Sequence, residues 1–214
     1  MTALSRAAAL VRIARGDLIV SPILSDAQLG PSSIDLRMGT VVLIAKAGAQ
    51  SHVEPAAYLR EETDPRHHDA VRSKKQKHER YDVPFRQSFL LHPGTLALVP
   101  TLEWVRLPPD LQGVVTARSS WAREGLNIAT ATIVNPGYSG IVTLELANFG
   151  EIPIRLYPGL RLAQIAFYQL EGVGTPAPDQ PLAGQFQMSF EPSAGNIAKD
   201  GDGAFIPLRK DDTL

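Results

Sequence analysis

The sequence predicts a mainly β domain, a barrel or a sandwich, with one helix ahead of it. From Phe89 onward the apolar runs are short, and they are broken at His92-Pro93-Gly94, Leu107-Pro108-Pro109, Asn135-Pro136-Gly137 and Tyr157-Pro158-Gly159. That is the punctuation of strands joined by tight turns. Between the breaks, the run from Ile141 to Ala147 alternates, with Leu144 and Leu146 on one face and Thr143, Glu145 and Ala147 on the other, as a strand buried on one side does. The run from Leu162 to Tyr168 carries strand-type residues as well.

The first residues follow a different period. Leu4, Ala8, Val11 and Ala14 recur at helical spacing and Gly16-Asp17 supplies a stop signal. The segment is also Arg-bearing and free of acids, a composition shared with mitochondrial presequences; its periodicity favours a simple helix. Leu18–Pro22 and Ser33–Met38 then read as short strands separated by the Gly30-Pro31 turn. From about Lys46 to Arg86 the chain turns polar and charged, with Glu61-Glu62, His67-His68 and a basic run from Arg72 to Arg80. This predicts an inserted loop or surface helix, either functional or mobile because of its length. After Glu171 the chain is rich in Pro, Gly, Ala and Gln without patterning, which predicts an arm, or a segment ordered on binding. The expectation is one domain over residues 1–214, with an insertion at about 46–86 and a C-terminal arm from about 171.

Composition removes several classes of function. With 214 residues, 44% hydrophobic and 20% charged, the chain can bury one sizeable core. A formal net charge of −1 gives no global pull toward polymeric nucleic acid or an anionic membrane, so anion binding has to come from a local cluster. There is no cysteine, which excludes disulfides, thiol nucleophiles, iron–sulfur clusters and thiolate zinc sites, and is compatible with the expected cytoplasmic location. No run approaches the ~18 apolar residues of a membrane span, so a soluble chain is expected. His67, His68 and His78 lie in the charged insertion, and His52 and His92 are isolated, so the histidines read as solvated or structural and no protein metal site is expected. Asp200-Gly201-Asp202-Gly203 resembles a calcium loop without its downstream ligands, and reads as a turn.

The densest chemical cluster is Ala117-Arg118-Ser119-Ser120-Trp121-Ala122-Arg123, after the strand 113–116. Two hydroxyls opening a short helix either cap it, with both arginines solvated, or combine with free N–H groups and Arg118 to hold a phosphate. Ser119 and Arg123, four positions apart on such a helix, share a face and can converge on one small ligand. Glu145, between two leucines, is either surface-facing or set in a pocket where its pKa rises toward neutrality.

Ser33-Ile34-Asp35-Leu36-Arg37, Leu91-His92-Pro93-Gly94, Ala117 to Leu126, Asn135-Pro136-Gly137-Tyr138-Ser139-Gly140 and Leu144-Glu145-Leu146 together resemble the dCTP deaminase family. The resemblance runs from about Gly16 to Ile44 and from Phe89 to Leu170. It implies a distorted, dUTPase-like β-barrel with an N-terminal helix and a short helix at the active site, assembled as a homotrimer with sites at subunit interfaces. It further implies hydrolytic loss of the 4-amino group of the cytosine of dCTP. Glu145 would shuttle the proton, and Ser119, Arg123 and the carbonyl of Ala131 would hold the water. Arg118, Ser119 and Ser120 would grip the phosphates, with Mg²⁺ on the triphosphate and no zinc in the chemistry. Tyr138 would lie against the deoxyribose and exclude a 2′-hydroxyl, Asn135 would hydrogen-bond the sugar, and Gln164, Gln185 and Phe186 would complete the substrate-binding set. Zinc deaminases of bases and nucleosides use His/Cys/Cys or Cys₃ ligation, which a chain without cysteine cannot build.

The sequence departs from the family at three places. Asn135 stands where an aspartate is usual, and an amide cannot take up the proton of a water attacking the phosphate chain, so no diphosphate release is expected and a dUTPase is disfavoured. Ile133 replaces an arginine of many bacterial relatives. Gln185-Phe186-Gln187 and Ser189 align with a segment whose lysine closes over the triphosphate; Lys74, Lys75 or Lys77 of the insertion are candidates to replace that charge, beside the alternative of a solvated basic face. These changes leave two further readings: a nucleotide-binding regulatory homologue, or a deaminase of a different or modified cytosine deoxynucleotide.

Overall fold

The strand β7, Leu96–Arg106, lies between β4 and β11 in its sheet with a proline inside it, and much of the fold can be described from its partners. The structure is a computed structural model that describes residues 2–46, 78–128, 131–171, 186–193 and 195. In chain order the elements are β1 (Thr2–Ala3), α1 (Arg6–Arg15), β2 (Ile19–Ser21), a 3-10 turn (Asp26–Gln28), β3 (Ile34–Arg37), β4 (Val41–Ala45), β5 (His78–Asp82) and β6 (Phe89–Leu91). After β7 come β8 (Leu111–Ala117), α2 (Ser119–Ala122), β9 (Leu126–Ile128), β10 (Ile133–Val134), β11 (Ser139–Asn148), β12 (Ile154–Leu156) and β13 (Arg161–Gln169). The chain divides into two compact units, Met1–Ile44 with Arg80–Ser193, and Ala45–Glu79 with Ala194–Leu214. In the second unit Lys46 and Glu79 form an ion pair.

Helix α1 forms as its period predicts. Ser5 caps it by accepting from the N–H of Ala8 at 3.3 Å, and Gly16, at φ 79°, ends it with its N–H on Ile13, a left-handed C-terminal stop that favours glycine. Arg12 in the last turn pairs with Asp17 at 2.8 Å and with Asp110 at 2.6 Å, which ties the helix to the turn ahead of β8.

Two antiparallel sheets carry the rest. One has the order β1-β13-β8-β10, with β3 also paired to β13; the other has the order β5-β4-β7-β11-β9, with β2 also on β7. A two-stranded ribbon, β12-β6, completes the set. Leu36, Met38, Val99, Leu111, Leu144, Leu146, Leu162 and Ile165 are fully buried in one continuous core, where each such side chain contributes about 1.5–3 kcal/mol relative to exposure. The predicted strands at Leu18–Pro22, Ser33–Met38, 141–147 and 162–168 are β2, β3, β11 and β13. One expectation is corrected: within the charged stretch read as loop or helix, His78–Asp82 is a strand, β5, because an edge position beside β4 satisfies its backbone despite its polar side chains. The remainder of the insertion lies outside the described residues.

Pro100 interrupts neither β7 nor its pairing. Between Trp104↔Ile141 and Pro100↔Thr143 the register shifts, so that Thr101, Leu102 and Glu103 face the single residue Val142, a bulge of the kind that accommodates a residue lacking an N–H. Thr101 accepts the N–H of Val142 on Oγ1 at 2.9 Å and donates to the carbonyl of Glu103 at 2.8 Å. Across the same place Gly39 donates its N–H to Pro100 at 2.7 Å, and a Cβ on Gly39 would lie 2.8 Å from the proline ring, so only glycine permits the approach.

Candidate active site

Glu145 lies on β11 between Leu144 and Leu146, both wholly buried, and faces Leu98 of β7. It is half-buried, and desolvation holds its carboxyl above the ordinary glutamate value. Its position is thus neither fully solvent-facing nor fully buried, and the shift runs in the direction that partial desolvation imposes on a carboxylate. Beside β11 runs β9, with Leu146 opposite Ile128, and α2 leads directly into β9.

Helix α2 is a single turn. Its N-cap is Arg118, without a side-chain cap hydrogen bond, so the sequence-based idea of serine hydroxyls capping the helix is corrected: both serines lie inside the turn, on its exposed side. Arg123 follows as the C-cap with its N–H on the Ser119 carbonyl at 3.2 Å, which spaces the two residues one helical turn apart. Because one turn is unstable by itself, α2 depends on its surroundings: Trp121 donates Nε1 to the carbonyl of Arg161 at 2.9 Å, and the Arg118 N–H donates to Leu162 at 2.9 Å.

Arg118 points toward β3, where its Nε lies 3.2 Å from Oδ2 of Asp35, and Nη1 of Arg161 lies 3.1 Å from the same oxygen. Gln164, opposite Asp35 in the β13–β3 register, donates to Thr116 at 3.3 Å and accepts from Ser33 at 3.4 Å. Gln164 and Arg118 thus belong to one polar patch on the first sheet. Sequence reasoning gave Asp35 and Arg161 no role; the only available signal was a carboxylate set between the apolar Ile34 and Leu36.

A second patch forms around the Asn135–Tyr138 turn. Gly137, at φ 74°, makes the turn, and Tyr138 donates its N–H back to Asn135 at 3.1 Å. The Tyr138 phenol donates to the carbonyl of Ile141, and burial pushes its pKa up to about 12. Part of the C-terminal arm lies here: Gln187 accepts from the N–H of Ser139 at 3.0 Å, and Ile141 donates to the Ser189 carbonyl at 3.0 Å. Phe186 is exposed at the start of this segment, and Phe190 packs on Trp104 with ring centroids 4.7 Å apart. Ala131 and Asn135 are exposed. Gln185, Lys74, Lys75, Lys77, His52, His67, His68 and the Asp200–Gly203 turn lie outside the described residues.

A third polar group was not foreseen. Glu103 is fully buried and accepts from Gln28 Nε2 and from the Arg37 N–H, each at 2.8 Å. Gln28, itself fully buried, also donates to the carbonyl of Asp35 at 3.0 Å. Desolvation raises the Glu103 carboxyl to about 7 against the opposing effect of these hydrogen bonds.

The scaffold is mainly β, with an elevated carboxyl on β11 and an Arg-Ser-Ser turn leading into the neighbouring strand β9. Residues 3–170 match the dCTP deaminase-like family, and the chain belongs to that family. The chain is 36% identical over 199 residues to a dCTP deaminase of Halorubrum lacusprofundi, covering 92% of each. It is 34% identical over 163 residues to a dUMP-forming dCTP deaminase of Methanobrevibacter smithii, covering 76% of each. Among solved structures, 2'-deoxycytidine 5'-triphosphate deaminase from Agrobacterium tumefaciens superposes with a TM-score of 0.55 at 25% identity, over 77% of this chain and 47% of that one.

Proposed function

We propose that this chain deaminates dCTP to dUTP and ammonia in pyrimidine deoxynucleotide metabolism. The observation that carries this reading is the elevated carboxyl of Glu145, half-buried on β11 one strand away from the turn that leads out of Ser119 and Arg123. A general acid–base has to work in both protonation states. Glu145 takes a proton from water as the oxygen attacks C4, delivers it to ring N3, and then assists transfer of a proton to the departing amine. Ser119, Arg123 and the Ala131 carbonyl orient that water. Arg118, Ser119 and Ser120 hold the phosphates, Asn135 and Tyr138 meet the deoxyribose, and Gln164, Gln185 and Phe186 complete the pocket.

A Mg²⁺ ion would be held through the phosphate oxygens of the nucleotide, where it would neutralise charge. The chain is read as one deaminase domain that closes into a barrel and acts in the cytoplasm as a homotrimer. Ser119, Ser120, Arg123, Ala131 and Asn135 are all exposed in a single chain. Ile133, Phe149 and Ile152 are 56%, 72% and 73% exposed nearby in sequence. Both facts suit a site completed by a neighbouring subunit, since exposed apolar side chains mark interfaces. Among the described residues no helix is long and apolar enough to cross a membrane.

Asn135 favours dUTP over dUMP as the end product, because its amide cannot accept a proton from water attacking the phosphates. The test is ammonia release from dCTP, dCDP, dCMP and CTP with Mg²⁺, with products separated by chromatography and pyrophosphate measured alongside. Ammonia and dUTP without pyrophosphate is the expected result. Stoichiometric pyrophosphate would place the chain with the dUMP-forming relatives. The altered Ile133 and Asn135 favour one second reading, a regulatory homologue, and dCTP binding without ammonia from any of the four would select it.

A further inference from the structure

Among the described residues Arg118 is engaged at Nε. Its Nε meets Asp35, while among the described residues its two terminal amino groups take no partner. A guanidinium carries its five donors in a rigid plane, so an ion pair at Nε restrains where the four terminal N–H bonds can point. Trp121 anchors α2 as a body, but among the described residues the contact that sets this guanidinium's direction comes from β3.

Asp35 is well placed to impose that direction. It is 8% exposed, its carbonyl accepts from Gln28 at 3.0 Å, and its β-strand register opposite Gln164 fixes its backbone. Arg161 holds the same carboxylate oxygen at 3.1 Å and donates to the carbonyl of Ala27 as well. Two guanidinium groups on one carboxylate leave a local charge of about +1, in a chain whose formal net charge is −1.

We propose that Asp35 is a positioning residue for nucleotide binding: it locks Arg118 through Nε so that the terminal fork faces the triphosphate, while Arg161 holds Asp35 in place. This rests on the reading of Arg118 as a phosphate ligand. A bidentate fork on phosphate is strong only when its plane is already oriented.

The test is steady-state kinetics on the full chain with dCTP and Mg²⁺. Asp35→Asn is expected to raise KM about tenfold with kcat within about twofold, since a contact made equally in ground and transition states moves KM. In an Arg118→Ala background the same substitution is expected to add nothing, because the two act through one contact. Arg118→Lys keeps the charge but has a single nitrogen, which cannot hold Asp35 and present a fork together, so its KM is expected to rise nearly as far as that of Arg118→Ala. An unchanged KM in Arg118→Ala would remove the phosphate reading itself. If Arg118→Ala raises KM while Asp35→Asn does not, or if Asp35→Asn has its full effect without Arg118, only the role of Asp35 is overturned. Should Asp35→Asn fail to fold, wild-type KM in Arg118→Lys overturns it.

Discussion

The phenol of Tyr138 donates to the carbonyl of Ile141, three residues along the strand that carries Glu145. The Asn135–Tyr138 turn and the first residues of β11 are thereby one unit, and Gln187 fastens the arm to it through Ser139 and Gly137. With its pKa up to about 12 the phenol remains a donor at any working pH, and with its hydroxyl committed to backbone it is the ring that the proposed reading sets against the sugar.

It follows that Tyr138→Phe should preserve the preference for dCTP over CTP while lowering stability by about 1 kcal/mol for the lost hydrogen bond. Tyr138→Ala should lose the preference. Ratios of kcat/KM for the two nucleotides, with thermal melts of each variant, separate these effects. Entry of CTP into Tyr138→Phe would assign the discrimination to the hydroxyl.

Replacing Glu145 by glutamine keeps the shape of the side chain and removes its basicity. Deamination should fall by about 10³-fold or more, beyond the usual range for one general base because the same group acts at several steps. Binding of dCTP, measured by calorimetry, should be retained, and full turnover in this variant would remove Glu145 from the mechanism.

The pH profile carries a separate expectation. In the proposed mechanism the reaction starts from the carboxylate, and burial raises the pKa of Glu145. Activity should therefore fall as pH drops through that raised value. The acid inflection of kcat/KM should lie above the ordinary glutamate value of about 4.3, and a profile flat down to pH 4.5 would contradict it.

Glu103 makes stability itself pH-dependent. Its carboxyl titrates at about 7 in the folded chain against an ordinary 4.5, so between those values the folded state binds the extra proton. Stability then declines as pH rises from about 4.5 to about 7 and is flat beyond, by up to about 3 kcal/mol. Thermal melts across that window should show the decline in the wild type and a flatter course in Glu103→Gln. Parallel curves would locate the titration elsewhere.

Much of the scaffold was legible because its periods are local. The helical spacing ending at Gly16 and the alternation around Glu145 each occupy a single element, and both elements formed as read. β7 was harder to read, since Pro100 argues against a central strand until Thr101 and the bulge opposite Val142 are known. Strand β5 was missed for a similar reason: its polar side chains carry no period, and only a neighbouring strand gives its backbone partners.

For the candidate site, residue type and spacing drew attention to Glu145, Ser119, Arg123 and Arg118 but left bland alternatives open, and the resemblance to the dCTP deaminase family gave them roles. Sequence alone could not find that Arg118 and Arg161 share the carboxylate of Asp35, or that Gln28 and Arg37 satisfy a buried Glu103. Those groups are brought together from strands up to 126 residues apart. Tertiary structure decided them because a buried charge is tolerable only where partners from other strands converge on it, and that convergence is a property of the packed sheets, with no trace in the order of residues along any one strand.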